Sequence, residues 1–350
     1  MTALRFLLLP FSWLYGAILW CRHALYDSGV FKSERAPVIT IVLGNLALGG
    51  TGKTPHSEYI LKLLSSRKVA FLSRGYGRST KGFRWVDPQG DAAEFGDEPL
   101  QVARKFRHIP VAVCEDRQNG IRQMLSRFPD LEVVVLDDAF QHRPLKGDIR
   151  ILLTTWQRPF WKDILVPAGR LRDLKSRASH ADAIIVTKCP DELSEDALER
   201  LNNAINPGPG QKVFFSGLQY GEPFSASPDV RLSPGSPIIG FSGIADSGLF
   251  ESCLREKFDL KKFKSFGDHH HYSLSELSDL TADVRTFGTP RPYLVTTEKD
   301  FSRLSGMKEW NPAENHLFCL PVAVAFKQQK ETFDSWLTER LDQIYGQHLR

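Results

Sequence analysis

Residues 44–54, GNLALGGTGKT, combine the residue types that bind phosphate groups. Closely spaced glycines let backbone N–H groups approach phosphate oxygens, the lysine adds a positive charge, and the threonine adds a hydroxyl for Mg²⁺. The strict G-x-x-x-x-G-K-[ST] pattern would place glycine where the chain has Ala47. An apolar run precedes the loop and a helical pattern follows it, which is the strand, loop and helix order that the site requires. The predicted phosphate-binding residues are Gly49, Gly50, Thr51, Gly52, Lys53 and Thr54.

A second group of polar residues, DDAFQH, follows the apolar run at residues 133–136. In a protein with a phosphate loop, a carboxylate is needed at this strand end to hold Mg²⁺ directly or through water. Two adjacent carboxylates without a cation would repel each other. We therefore predict a metal site at Asp137 and Asp138, with a purely structural turn as the alternative. Gln141 and His142 follow closely and are assigned supporting or substrate contacts.

Two further polar stretches are less specific. Residues 74–78, RGYGR, follow the strand pattern at residues 69–73, where open α/β sheets place their ligands. An ordinary surface turn would have the same composition. Asp97 and Glu98 begin a helical pattern at residues 96–107, and acidic residues at a helix start usually serve as caps or compensate the helix dipole.

The second half of the chain contains three consecutive histidines, His269, His270 and His271. Adjacent side chains project in different directions, so one metal ion could scarcely bind all three. Histidine titrates near neutral pH, and we therefore favour a general base, or a partner that orients one.

Apolar runs alternate with helical patterns along residues 36–220, which predicts an α/β fold with a mostly parallel sheet of the P-loop NTPase type. Proline, serine and glycine are frequent at residues 221–237, which indicates a connector, and the alternation then resumes. The predicted segments are an N-terminal lead-in with a membrane-associated helix (1–35), a phosphate-loop domain (36–220), a linker (221–236), and a smaller α/β domain with a C-terminal helix (237–350).

The N-terminal residues 6–20 are almost wholly apolar and contain Pro10. A helix needs about 20 apolar residues to span a bilayer, so this segment is short for a transmembrane helix. Its aromatic residues and basic flanks favour a helix that lies in the membrane interface. A helix buried in the protein and a true span remain the alternatives.

The composition is that of a globular protein without a disulfide framework. Of the 350 residues, 42% are hydrophobic, and the five cysteines are scattered and lack metal-binding spacing, which favours a reducing, cytoplasmic compartment. The net charge of +4 favours anionic partners only weakly. Because the basic residues are dispersed, nucleic-acid binding is the least favoured role.

In this combination and order, the motifs resemble the tetraacyldisaccharide 4′-kinase family, which comprises membrane-associated enzymes of lipid A synthesis. The chain departs from the family pattern at Ala139, where glycine is usual, and at Asp173, where glutamate is usual. We expect the first to shift a local turn and the second to shorten a substrate contact. The resemblance covers nearly the whole chain, through the apolar N-terminus and residues 44–46, 49–54, 73–77, 96–99, 137–142, 167–172, 268–269 and 296–300.

The resemblance implies transfer of a phosphoryl group from ATP, with Mg²⁺, to the 4′-hydroxyl of tetraacyldisaccharide 1-phosphate, yielding lipid IVA at the cytoplasmic face of the inner membrane. It implies that Asp97 accepts the hydroxyl proton and that His269, from the second domain, pairs with Asp97. The implied metal ligands are Thr54, Glu98, Asp137 and Asp138, the implied substrate contacts are Gln141, His142 and Arg172, and Tyr76 is implied on the nucleotide side. Because Asp97 and His269 lie in different predicted domains, domain closure would exclude water.

Two other functional classes remain open. A membrane-bound regulatory NTPase would turn over nucleotide without responding to added lipid. Leu48 argues against it, because nucleotide-sandwich ATPases carry a lysine just before the glycine pair. A soluble small-molecule kinase or ligase would bury the N-terminal segment in its core. The sequence leaves the oligomeric state open, and also which of Asp137 and Asp138 binds the metal directly.

Overall fold

A computed structural model describes residues 3–225, 227, 230–268, 270–305, 307, 309–312, 314, 316–326 and 329–348. Within these residues the chain forms two mostly parallel sheets with helices packed against them, which confirms the predicted α/β class. The strands are β1 Ile39–Asn45, β2 Val69–Ser73, β3 Arg84–Trp85, β4 Val111–Val113, β5 Val133–Leu136, β6 Ile149–Thr155, β7 Ala183–Thr187, β8 Lys212–Tyr220, β9 Phe224–Ser225, β10 Pro237–Ser242, β11 Asp259–Ser265, β12 Tyr293–Thr297, β13 Leu317–Leu320 and β14 Val322–Phe326. The helices are α1 Ala3–Asp27, α2 Lys53–Leu63, α3 Ala92–Phe95, α4 Asp97–Lys105, α5 Arg117–Arg127, α6 Glu195–Ile205, α7 Gly248–Lys257, α8 Leu274–Thr286, α9 Glu298–Leu304 and α10 Lys330–His348, with short 3₁₀ helices at Phe160–Lys162 and Lys175–His180.

The larger sheet is built around β1. All seven residues of this strand are buried, because it lies between β5 and β6 and is covered on both faces. Side chains alternate across a strand, so Ile39, Ile41 and Leu43 enter one core and Val42 enters the other. A continuous run of β-branched and leucine residues suits such a doubly covered parallel strand.

The strand order of the larger sheet is β14-β8-β7-β6-β1-β5-β2-β4-β3. The edge strands β3 and β14 are antiparallel to their neighbours, and the strands between them are parallel. The carboxyl ends of β1, β2, β5 and β7 therefore meet at one edge, where open α/β sheets bind their ligands.

The smaller sheet has the order β11-β10-β12-β13-β9, and only β9 pairs antiparallel. The sequence prediction assigned residues 237–350 to this part of the fold. Instead, β14 pairs with β8 of the larger sheet, and α10 packs Phe333 on Phe326 with ring centroids 4.3 Å apart. The chain thus returns to the larger sheet after residue 320, because β14 and α10 complete its hydrophobic core.

Helix α1 is longer than the apolar run that predicted it and continues through Pro10. Its exposed face carries large apolar side chains, while Leu19 is buried. Among the helices that the structure describes, none has both the length and the apolar character required to cross a membrane. The exposed apolar residues of α1 are Phe6, Leu7, Phe11, Trp13, Leu14, Ile18, Trp20 and Leu25.

Candidate active site

The glycine-rich loop after β1 leads directly into α2. Gly52 precedes the helix with φ 84°, a left-handed conformation that glycine adopts without strain. The first N–H groups of a helix have no intrahelical partners, and together with the helix dipole they favour an anion at this end. The strand, loop and helix order predicted from the sequence is therefore present.

Side chains from neighbouring strands fix the shape of the loop. Asn45 Nδ2 donates to Thr51 Oγ1 at 2.9 Å, and Thr187 Oγ1 donates to the Thr51 carbonyl at 2.8 Å. The Leu48 N–H donates to the Arg170 carbonyl at 2.7 Å. These bonds tie the loop to β1, β7 and the segment before Arg172, so its conformation is set before any ligand arrives.

His56, one turn into α2, holds the same loop through contacts of its two ring nitrogens. Its Nδ1 lies 2.7 Å from the Gly52 carbonyl and its Nε2 lies 2.9 Å from Ser216 Oγ. A carbonyl can only accept, so Nδ1 carries the proton and Nε2 accepts from the serine. Burial lowers the pKa of His56 to about 4, against the opposing effect of the Gly52 bond, and the imidazole is neutral near pH 7.

Lys53 and Arg172 converge on the carboxylate of Asp138. Lys53 Nζ lies 3.7 Å from Asp138 Oδ1, and Arg172 donates to both carboxylate oxygens. Arg172 Nη2 also donates to Asn45 Oδ1 at 2.6 Å. Burial alone would raise the pKa of Asp138, but the Arg172 bond and the charges of Lys53 and Arg172 outweigh it and lower the pKa to about 2.

Asp137 has the opposite environment although it is the adjacent residue. Its side chain is buried, and Ser73 Oγ is 3.5 Å from its Oδ2. Burial, followed by the negative charge of Glu98, raises the pKa of Asp137, and Lys53 opposes this shift. In the described part of the chain, Asp137 Oδ1 has no hydrogen-bond partner. A buried carboxylate with an unsatisfied oxygen is a fitting ligand for a cation.

A cavity of about 960 Å³ lies between the carboxyl ends of the two sheets, and it is lined by Asn45, Lys53, Asp137, Asp138 and Arg172 among others. The smaller sheet contributes residues such as Ala245, Asp268 and Lys299 to the opposite wall. Asp97 is not among the described residues that line this cavity, whereas all other predicted site residues outside the histidine run are. They are Gly49, Gly50, Thr51, Gly52, Lys53, Thr54, Tyr76, Glu98, Asp137, Asp138, Gln141, His142 and Arg172.

Three of the lining residues have distinct surroundings. Tyr76 is 70% exposed at the wall of the cavity. Gln141 Nε2 donates to the Asn45 carbonyl at 2.9 Å. Burial, followed by the charge of Arg117, lowers the pKa of His142 to about 4. His142 is therefore neutral near pH 7 and is suited to hydrogen bonding rather than to binding phosphate by charge.

On the side of the cavity formed by both sheets, α4 meets α9. Lys299 Nζ lies 3.6 Å from Glu98 Oε1 and 3.9 Å from Asp268 Oδ1. Directly behind this contact, Arg303 Nη2 donates to Asp97 Oδ2 at 2.5 Å. Both α4 carboxylates are thus engaged by cations of the smaller sheet.

The prediction for His269 lies outside the described residues. Its neighbour His270 stacks on Phe266, with ring centroids 4.6 Å apart, and its Nε2 lies 3.1 Å from Glu276. Glu276 also completes the capping box of α8. His270 therefore makes local contacts with Phe266 and Glu276 at the start of α8.

The expectation that Asp173 makes a shortened substrate contact stays a prediction, because Asp173 lines the cavity but is engaged within the protein. Asp173 is buried, and its Oδ1 is 2.7 Å from Nε2 of the buried His23 in α1. Tyr15 Oη donates to the Arg172 carbonyl at 2.9 Å, and Ser12 Oγ donates to the Leu165 carbonyl at 2.9 Å. Helix α1 is thereby bonded to the segment that carries Arg172.

Sequence reasoning missed His23, His56 and Arg303. Each meets its partner across more than a hundred residues of chain. His56 carried a signal, because a histidine inside the first turns of an otherwise apolar helix face is a candidate for a buried contact. Arg303 follows the matched stretch 296–300, but nothing in its own spacing connects it with α4.

The fold and the cavity define a class of mostly parallel α/β proteins that carry a glycine-rich strand–loop–helix unit and a carboxylate pair at the carboxyl edge of the sheet. A family model described as tetraacyldisaccharide-1-P 4′-kinase matches residues 4–342. The chain belongs to this family.

Relatives with this description match the chain over almost their full length. A tetraacyldisaccharide 4′-kinase of Bacteroides fragilis is 39% identical over 342 residues, which cover 93% of this chain and 89% of the relative. One from Flavobacterium psychrophilum is 38% identical over 341 residues, covering 95% and 96%. The crystal structure of LpxK from Aquifex aeolicus, described as in complex with ATP, matches with a TM-score of 0.74 and 31% identity, covering 97% of this chain and 99% of that chain.

Proposed function

We propose that this chain transfers the γ-phosphoryl group of ATP to the 4′-hydroxyl of tetraacyldisaccharide 1-phosphate, which yields lipid IVA. The observation that carries the proposal is the grouping of Lys53, Asp137 and Asp138 at adjacent strand ends, inside a cavity walled by both sheets. Phosphoryl transfer depends mainly on positioning and on charge neutralisation. A fixed lysine and two carboxylates beside a glycine-rich helix start supply both.

In this proposal the glycine-rich loop is a P-loop that holds the phosphates of ATP. Its N–H groups at Gly49, Gly50, Thr51 and Gly52 face the anion at the start of α2. Lys53 neutralises charge on the transferred group, and Thr54 contributes its hydroxyl. Tyr76 offers its exposed ring on the nucleotide side of the cavity.

The carboxylates of Asp137 and Asp138 suit a magnesium ion. Asp137 provides an unsatisfied buried oxygen, and Asp138 is held ionised by Lys53 and Arg172. Mg²⁺ commonly uses one or two carboxylates together with substrate phosphates, so Asp137, Asp138, Thr54 and Glu98 would hold it here. When bound, Mg²⁺ neutralises phosphate charge during transfer.

On the acceptor side, Asp97 accepts the proton of the 4′-hydroxyl as the new bond forms, and His269 pairs with Asp97. A base positioned in this way contributes about 10²- to 10⁴-fold to a rate. Gln141, His142 and Arg172 line the same cavity and contact the substrate. Asp97 adjoins the lining residue Glu98, so a small shift of α4 or of the facing helix brings it to the acceptor.

The two sheets would then act as a phosphate-loop domain at residues 36–220, completed by β14 and α10, and a smaller domain that begins at residue 237, joined by the linker at 221–236. Closure between them would bring the acceptor-side groups together and exclude water. Small-angle scattering with and without nucleotide tests this closure. An identical scattering profile in both states would argue against it.

We infer from the exposed apolar face of α1 that the enzyme binds a membrane surface, which we propose to be the cytoplasmic face of the inner membrane. An apolar patch of this kind indicates a membrane or partner surface, and the opposite face of α1 is bonded to the Arg172 segment. The variant Trp13→Ser should weaken binding to phospholipid vesicles. Tyr345→Ser, which changes another exposed aromatic residue on α10, is the matched control.

The test of the main proposal is transfer of radiolabelled γ-phosphate from ATP to tetraacyldisaccharide 1-phosphate in detergent micelles with Mg²⁺. Labelled lipid that disappears in Asp97→Asn establishes the reaction, the acceptor class and one catalytic residue together. Free phosphate without labelled lipid would instead favour a nucleotide hydrolase.

A further inference from the structure

Arg303 of α9 links the proposed base to the smaller sheet. Its Nη2 donates to Asp97 Oδ2 at 2.5 Å, while its Nη1 donates to Asp300 Oδ1 at 3.0 Å and to the Gly243 carbonyl at 3.3 Å. One planar guanidinium therefore joins a carboxylate of α4 to a carboxylate of α9.

The smaller sheet holds Arg303 rigidly. Asp300 is fully buried, and its Oδ2 accepts from the Gly243 N–H at 2.9 Å and from Thr297 Oγ1 at 2.7 Å. Arg303 itself is 7% exposed. Burial would lower the pKa of Arg303, but the bond to Asp97 and the two carboxylate charges raise it, so the guanidinium remains charged.

We propose that Arg303 is a positioning residue that sets the orientation of Asp97 and makes it depend on where the smaller sheet lies. The inference rests on the proposed role of Asp97 as the base. A guanidinium that is fixed in one sheet and bonded to a carboxylate of the other transmits a shift between the sheets to that carboxylate. Because a displacement of about 1 Å can change a rate by about 10²-fold, this bond would control turnover.

A second arginine crosses the same interface without touching Asp97. Arg104, in the last turn of α4, donates from Nη1 to the carbonyl and hydroxyl of Ser302 in α9 at 2.6 and 2.8 Å. Arg104 thus provides a matched control for a role that consists only of holding α4 against α9.

The experiment compares phosphoryl transfer by Asp97→Asn, Arg303→Met and the double variant, with thermal unfolding as a check on folding. We expect Arg303→Met to lower kcat about 10²-fold and to leave KM for ATP unchanged, because it removes orientation of a base and not ATP binding. In the Asp97→Asn background, Arg303→Met should have no further effect on kcat. Arg104→Met should retain the kcat of the unaltered enzyme.

The variant Arg303→Lys keeps the positive charge but not the planar two-sided bonding, so it should recover part of the kcat. If Arg303→Met does not fold, Arg303→Lys tests the positioning role in its place. The loss of kcat caused by Arg303→Lys should then disappear in the Asp97→Asn background. Equal losses in both backgrounds, the same loss in Arg104→Met, or a rise in kcat would overturn the positioning role. Full kcat in Asp97→Asn would overturn the base assignment itself, which distinguishes the two failures.

Discussion

The proposed phosphate side and the proposed acceptor side of the site are constructed differently. Lys53, Asp138 and Arg172 all belong to the larger sheet and its loops, and we call them the phosphate-side group, although Arg172 is also a proposed contact of the acceptor. Lys53 and Arg172 each contact Asp138 directly. Asp97 and Arg303, the core of the acceptor-side group, come from helices of different sheets. The phosphate-side group therefore keeps its geometry wherever the smaller sheet lies, whereas the acceptor-side group depends on that position.

This difference separates two tasks of a phosphoryl transfer enzyme. Holding phosphates requires a preorganised arrangement that costs no reorganisation during the reaction. Delaying the activation of a hydroxyl until the acceptor is enclosed requires an arrangement that can respond to closure. Under the proposed function, the division would also protect ATP from water, because the proposed base is assembled across an interface.

The largest effect should come from the phosphate-side group, through Lys53→Met. This variant removes the positive charge of Lys53 that would lie beside the transferred phosphoryl group. We expect kcat to fall by about 10³-fold and the binding of ATP to weaken as well. Calorimetry and the transfer assay measure these separately. Lys62→Met, an exposed position on the same helix, should leave both unchanged, and intact ATP binding in Lys53→Met would contradict the phosphate assignment.

The acceptor-side group should show a different pattern in Asp97→Asn. We expect kcat to fall by about 10²-fold, in the range of a general base, with ATP affinity retained because the described bond of Asp97 joins it to Arg303 of α9. Equilibrium ATP binding beside single-turnover transfer tests the pattern. Loss of ATP binding with normal single-turnover chemistry would remove the distinction between the two sides.

Lys53 and Asp138 of the phosphate side could be predicted from the sequence because they follow recognisable strands, whereas Arg172 was assigned only through the family resemblance. Parallel strands end at one edge of a sheet, so Lys53 and Asp137 had to meet once β1 and β5 were identified. The bond between Asp97 and Arg303 spans 206 residues, and it depends on how α4 packs against α9. No local pattern encodes that packing.

The same reasoning explains what was missed in the fold. A short apolar strand such as β14 fits either sheet by pattern alone, and its assignment is decided by pairing with β8. Likewise, Asp173 could be recognised as a departure from the family, but its burial against His23 follows from the docking of α1. Motifs predicted the strand ends, and tertiary packing determined the contacts between distant segments.

A smaller effect should follow from Arg172→Lys within the phosphate-side group. A lysine cannot donate to Asp138 and to Asn45 at once in the planar geometry of arginine. Losing one charged hydrogen bond costs about 2 kcal/mol, which corresponds to a fall in kcat/KM of about thirtyfold. Steady-state kinetics with the lipid acceptor measures it.

The matched control for Arg172→Lys is Arg255→Lys, at an exposed ion pair with Glu251. Exposed pairs contribute about 0–1 kcal/mol, so this variant should retain its activity. Similar losses in the two variants would mean that the bonding of Arg172 to Asp138 has no special weight in the reaction.

The smallest effect concerns the anchor of the glycine-rich loop, His56. Its folded-state pKa of about 4 lies below the unfolded value of 6.5. As the pH falls, the unfolded chain therefore binds the proton first, and stability that is present above pH 6.5 is lost progressively towards pH 4. Between pH 6.5 and 5.5, His56 should lower the free energy of unfolding by about 1 kcal/mol.

Denaturant unfolding of the unaltered chain and of His56→Gln over this pH range isolates the contribution. Burial also lowers the pKa values of His142 and His180, so only the difference between the two pH dependences reports on His56. A flatter dependence in His56→Gln is expected, because glutamine does not titrate. Parallel curves would mean that burial does not keep the imidazole of His56 neutral, and the loop would then be less firmly held than the rest of the phosphate side.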